Sequence, residues 1–137
     1  MTKADNRAET RMLTIKVYHQ LIDEITKGGY SVTSYVNTAL DDYIKDVQHD
    51  RVSDYVVRGL KTRYIKPWQL KTRDLWFQRQ TTIRLRRDLY DYMEMMQYNK
   101  NAMINEAIYE WQCKVKGGER NCSNIKPYNE GKAHNRY

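Results

Sequence analysis

The sequence has two cysteines, two prolines, six glycines and one phenylalanine, and no apolar run longer than four residues. Cys113 and Cys122 are too few for a disulfide framework and suit a reducing compartment. So little proline and glycine excludes collagen-like and low-complexity chains. A membrane span needs roughly 18 apolar residues in a row, so no membrane partner is expected. The start, Met1-Thr2-Lys3-Ala4-Asp5-Asn6, has no apolar signal core, and export is not expected. No glycine-rich phosphate loop and no Ser/His/Asp set is identifiable. His19, His49 and His134 do not fall into metal-ligand spacing with either cysteine. The 12 tyrosines invite a tyrosine-based nicking chemistry. No His-x-His metal pair accompanies them, so they read as packing aromatics. The expectation is no enzyme, no cofactor, no metal and no small-molecule substrate.

What the chain has is positive charge. Its 137 residues suit one domain or two very small ones, and its formal charge is +7. Nucleic acid is the leading partner for such a balance, with another anionic surface second. The excess is not spread evenly. Residues 46–81 carry eight basic and four acidic groups, and residues 114–137 carry six and two. Residues 14–45 and 82–113 each carry one more acidic than basic group. The surplus suits sequence-independent attraction to phosphate, although a solvated linker and tail explain it equally well.

An internal repeat organises the rest. A single constant shift aligns Thr14 to Lys45 with Thr82 to Cys113 without a gap. Identities fall at Thr14/Thr82, Ile15/Ile83, Leu21/Leu89, Asp23/Asp91, Tyr30/Tyr98, Asn37/Asn105 and Ala39/Ala107. Each copy opens with alternation: Leu13, Ile15 and Val17 in the first, Ile83 and Leu85 in the second. That predicts a short strand with one apolar face. A helical pattern follows, through Leu21, Ile22 and Ile25, or through Leu89, Tyr92, Met93 and Met96. Gly28-Gly29 ends it in the first copy, whereas Met96-Gln97 suggests a different turn in the second. A second helix carries Val36, Ala39, Leu40, Tyr43, Ile44 and Val47, or Ile104, Ala107, Ile108 and Trp111. Thr33 and Asn101 are the candidate N-caps. About 35 residues cannot bury two helices and a lone strand, so each unit needs the other.

Leu13 to Val17 with Ser31 to Leu40, and Thr82 to Leu85 with Asn99 to Ile108, resemble the ribbon-helix-helix family of DNA-binding proteins, the Arc and MetJ repressor type. The second stretch is similar to small plasmid copy-number repressors of that family. The tandem layout is similar to conjugation accessory proteins of the TraY type and to some virus-encoded regulators. The resemblance implies an α+β, mainly helical fold: a tandem ribbon-helix-helix with two short strands paired antiparallel over four helices within one chain. It implies double-stranded DNA as partner, with possible self-association on DNA. The outward strand residues Met12, Thr14, Lys16, Gln80, Thr82 and Arg84 would then meet base edges in the major groove. Thr33, Ser34, Lys100, Asn101 and Ala102, at the starts of the second helices, would meet phosphate.

The chain divides accordingly into an N-terminal arm (1–11), repeat 1 (12–47), a basic linker with a possible helix (48–79), repeat 2 (80–114) and a flexible basic tail (115–137). Arg58, Lys61, Arg63 and Lys66 form a candidate secondary patch. Asp74-Leu75-Trp76-Phe77 and Trp68 read as packing anchors, as does Trp111. The expected role is a cytoplasmic, nucleoid-associated transcriptional repressor that binds an asymmetric site. Alternatives are a relaxosome accessory on the same fold, and a protein-interaction module such as an antitoxin or a host-factor inhibitor.

Overall fold

The computed structural model describes residues 9–61 and 78–128. The described chain is α+β and mainly helical, with one two-stranded antiparallel sheet and five helices. Strand β1 (Thr10–Tyr18) runs straight into helix α1 (His19–Lys27), followed by α2 (Val32–Gln48) and the short α3 (Asp54–Gly59). Strand β2 (Gln78–Arg86) then leads into α4 (Arg87–Met95) and α5 (Lys100–Lys116). The strand, first helix and second helix of one copy begin and end at positions equivalent to those of the other.

Alternation decides which face of the ribbon is buried. Ile15, Val17, Ile83 and Leu85 point inward and are at most 1% exposed. Burying each contributes about 1.5–3 kcal/mol. A slip of one residue would send all four to solvent, so the register is firmly set. Thr14 stands opposite Thr82, its own equivalent in the repeat. A pseudo-twofold axis therefore passes between these two threonines. Beneath the ribbon α2 packs against α5, and their stripes fill one core. Val36, Ala39, Leu40, Tyr43 and Ile44 come from one helix, and Ile104, Ala107, Ile108 and Trp111 from the other.

The two turns after the first helices are alike, contrary to the sequence expectation. Gly29 has φ 81° and Gln97, its equivalent, has φ 61°. The hydrogen bonds match as well. Tyr30 N–H donates to Ile25 C=O at 3.2 Å, and Tyr98 N–H to Met93 C=O at 3.0 Å. The first copy uses a glycine where left-handed backbone is free of side-chain strain, while the second holds a glutamine there.

The helix starts also differ from expectation. Ser31 caps α2, accepting from Ser34 N–H at 3.2 Å, and Asn99 caps α5, accepting from Ala102 N–H at 2.9 Å. Thr33 and Asn101 lie inside the first turns instead. Several neighbouring residues can cap, and the turn geometry chooses among them: the cap falls at the second position after the left-handed residue.

The tail is not loose where it is described. Ile125 is buried, and Lys126 C=O accepts from Ser31 N–H at 2.9 Å. Lys126 N–H donates to the Ser34 hydroxyl at 2.9 Å, and Tyr128 N–H to Gly29 C=O at 2.7 Å. Leu60, beyond α3, does the parallel task on the other copy: its side chain is buried and its C=O accepts from Asn99 N–H at 2.7 Å. Each copy thus extends into a segment that docks at the second helix of the opposite copy. Arg63, Lys66, Trp68 and Asp74 to Phe77 lie outside the described residues.

Candidate nucleic-acid interface

The six outward strand residues share one face of the ribbon and are exposed. They form three cross-strand pairs, Met12 with Arg84, Thr14 with Thr82, and Lys16 with Gln80. The two threonine hydroxyls lie 3.0 Å apart on the pseudo-axis. One end of the face therefore offers an arginine beside a methionine, and the other a lysine beside a glutamine. Arg84 Nη1 donates to the Thr10 hydroxyl at 3.2 Å, which steadies the guanidinium along the strand. Arg86 lies on the same face, but two bonds to the Asp88 carboxylate, at 3.0 and 2.6 Å, and Asp41 at 3.5 Å engage it. The hydrogen bonds from Arg86 hold the Asp88 carboxyl below its ordinary value.

The ribbon is fixed by a crossed pair of asparagines. Asn105, on α5, accepts from Tyr18 N–H at 2.9 Å and donates to Lys16 C=O at 2.9 Å. Asn37, on α2, accepts from Arg86 N–H at 2.8 Å and donates to Arg84 C=O at 3.0 Å. Each copy's second helix thereby holds the other copy's strand. These bonds satisfy strand-edge groups that would otherwise need water. They also fix the backbone at Lys16 and Arg84, two of the outward residues. The sequence shows the asparagines only as one identity among seven; their role depends on the crossed packing.

The second-helix starts are unlike one another. On α5, Lys100 Nζ pairs with the Glu94 carboxylate and lies 4.9 Å from the Tyr90 ring centroid. The hydrogen bond from Lys100 lowers the Glu94 carboxyl below its ordinary value. Asn101 Oδ1 accepts from Lys16 N–H at 3.0 Å, tying this turn to β1. Ala102 is buried, and its amide is engaged by the cap. On α2 the Ser34 amide and hydroxyl are both engaged, by Ser31 and Lys126. Thr33 lines a cleft of about 640 Å³ together with Thr82, Lys126 and Tyr128. Of the secondary patch, Arg58 and Lys61 are exposed, and Lys61 Nζ lies 5.9 Å from the Tyr98 ring centroid.

Arg79, Lys126 and Tyr128 border this surface and were not singled out in the sequence. Arg79 precedes the alternating stretch that defines the second strand, and the other two belong to the tail. Among the described residues no helix is long and apolar enough to cross a membrane. In comparisons with known proteins, no family model, no curated protein and no solved structure matches the chain.

Proposed function

We infer that this chain is a tandem ribbon-helix-helix protein that binds duplex DNA in a sequence-specific way, as a transcriptional repressor. The observation that carries this reading is the set of six exposed side chains in three cross-strand pairs, on a ribbon whose other face is the core. Two paired strands lie about 4.8 Å apart, and the major groove is about 12 Å wide, so a ribbon with its side chains fits it. Arg84 and Lys16 supply donors for guanine O6 and N7. Gln80 suits adenine N6 and N7, and Met12 suits a thymine methyl. The unlike ends of the face imply unlike half-sites. Both copies lie in one chain, so pairing of the half-sites does not depend on protein concentration. On this reading the protein has no catalytic role and works on the nucleoid.

Selection from random duplex DNA, followed by titration at two salt concentrations, tests the reading. The expected result is one enriched, asymmetric motif. Arg84→Ala should then weaken binding by about 1–3 kcal/mol and relax preference at one end of the motif. Enrichment of nothing, with only weak and steeply salt-dependent binding, would remove the repressor reading and favour a protein partner.

A further inference from the structure

The pseudo-twofold makes every surface feature on one side of the ribbon comparable with its counterpart on the other. The counterparts differ most beside the strand starts. Next to β1, Arg11, Tyr90, Glu94 and Lys100 form a closed cluster. The Arg11 guanidinium lies 4.4 Å from the Tyr90 ring centroid, and Lys100 is paired with Glu94. This corner is filled by an aromatic ring and contains its own carboxylate. The equivalent positions beside β2, under the shift that relates the two copies, are Arg79, Ile22, Thr26 and Val32. The ring, the carboxylate and the lysine are all missing, and the corner is open.

Two adjoining clefts, of about 440 and 640 Å³, share Val32, Thr81 and Tyr128 and form one groove along β2. The docked tail builds its outer wall. Lys126 lines the groove and is exposed, and its own backbone N–H and C=O anchor it to Ser34 and Ser31. Arg79 lines the other part and is also exposed. No carboxylate is found among the described residues that line the groove. It is cationic, rich in hydroxyls, and lies alongside Gln80 and Thr82 of the outward face.

We propose that this groove seats the sugar–phosphate backbone of one DNA strand, with Arg79 and Lys126 as its phosphate contacts, and so makes the docked tail part of the interface. The proposal rests on the DNA-binding reading above and adds contacts that the other corner makes differently: Arg11, the equivalent of Arg79, lies against the Tyr90 ring, and Lys100 is paired with Glu94. The tail supplies in Lys126 a cation for the corner where α2 begins with Val32 in place of a lysine. A phosphate in either cleft meets one cation and several hydroxyl donors without facing a carboxylate.

The test measures the selected duplex and a scrambled one over a range of salt, with Lys126→Ala, Arg79→Ala and Thr26→Glu compared against Arg84→Ala. Thr26→Glu places in the groove the carboxylate that Glu94 already supplies at the equivalent site, so the helix should accept it. Each groove variant should bind both duplexes several-fold more weakly and keep its sequence preference. Lys126→Ala and Arg79→Ala should each lower the log–log salt slope by about one. Hydroxyl-radical protection should be lost on one flank of the site alone. Unchanged affinity and slope in all three groove variants, while Arg84→Ala loses site preference, would overturn the groove and leave the ribbon reading standing. A parent protein that selects no sequence and is indifferent to Arg84→Ala would overturn both. Because the Lys126 side chain is exposed, Lys126→Ala carries the test even if Thr26→Glu proves unstable.

Discussion

The two copies share a backbone plan down to their turns, yet they make unequal use of it. Helix α5 is buried all round over residues 102–108, including the polar Asn105 and Glu106, and Gln112 is buried further on, whereas Asn37 and Thr38 of α2, the equivalents of the first two, are only partly covered. Helix α2 instead carries Asp42 and Asp46, which meet Lys114 of α5, and Asp42 also meets Arg120 of the tail. The first copy spends glycine on its turn and leaves its ribbon corner open. The second holds a glutamine in the same turn and closes its corner with Tyr90 and Glu94. A duplicated fold can thus keep its axis while its two halves diverge in burial and in surface. The backbone is fixed by buried alternation and paired strands, which tolerate little change. The corners and turns face water and tolerate much more.

The asparagine clamps offer the sharpest way to break the symmetry. Asn105→Ala leaves the buried Tyr18 N–H and the Lys16 C=O without their partner. It should cost about 2–4 kcal/mol, because an orphaned buried group costs about 1–3 and the part-buried Lys16 C=O adds less. Asn37→Ala exposes the Arg86 and Arg84 groups to a more hydrated edge and should cost about 1 kcal/mol. Urea unfolding of both variants measures the difference, and equal losses would show that the two clamps are equivalent after all.

The acidic cluster joins the copies, and its contribution depends on pH. Burial raises the Asp46 carboxyl, but the hydrogen bond and charge of Lys114, helped by Arg51, outweigh it and hold the group below its ordinary 3.8. A carboxyl depressed in the folded state stabilises the fold above its unfolded value, and that stability is lost as pH falls through 3.8 and below. Stability should therefore drop over this acid range, and Asp46→Asn should flatten the drop. A curve of unfolding midpoint against pH with the same shape in parent and variant would exclude Asp46 as a contributor.

The smallest effect tests the turns. Gln97→Gly should raise stability by about 0.5–1 kcal/mol, the left-handed strain relieved less the added freedom of the unfolded chain. Gly29→Ala should lower stability by about 1 kcal/mol, although nothing lies within 4 Å of the added methyl. Thermal unfolding of the pair reads the backbone contribution apart from packing. Opposite shifts would confirm that the two turns share one strained geometry.

Much of this architecture is written in the residue pattern. The alternation through Ile15, Val17, Ile83 and Leu85 names the buried face, because a strand's side chains can only alternate. The stripes through Val36 to Ile44 and Ile104 to Trp111 name the helical seams for the corresponding reason. The gapless shift of one copy onto the other names the symmetry. The outward set from Met12 to Arg84 follows as the complement of the buried one. The caps fall elsewhere than the pattern suggests because Ser31, Thr33, Asn99 and Asn101 all have suitable side chains, and only the left-handed turn before them selects which is used. The turn at Met96-Gln97 looked different because residue type governs the cost of a conformation and not its occurrence. Ile125 and Lys126 were not legible at all: a polar, glycine-flanked segment with one buried isoleucine has no periodicity to reveal a docking site.

The elements, their faces and the existence of two equivalent units follow from the order of residues alone, since these depend on local periodicity and burial. The folded packing sets the rest: each unit's asparagine clamps the other's strand, and each unit's extension docks at the start of the other's second helix. It also decided that one corner of the ribbon is closed and the other open. Those features arise from contacts between residues far apart in the chain, and such contacts exist only once two half-cores have met.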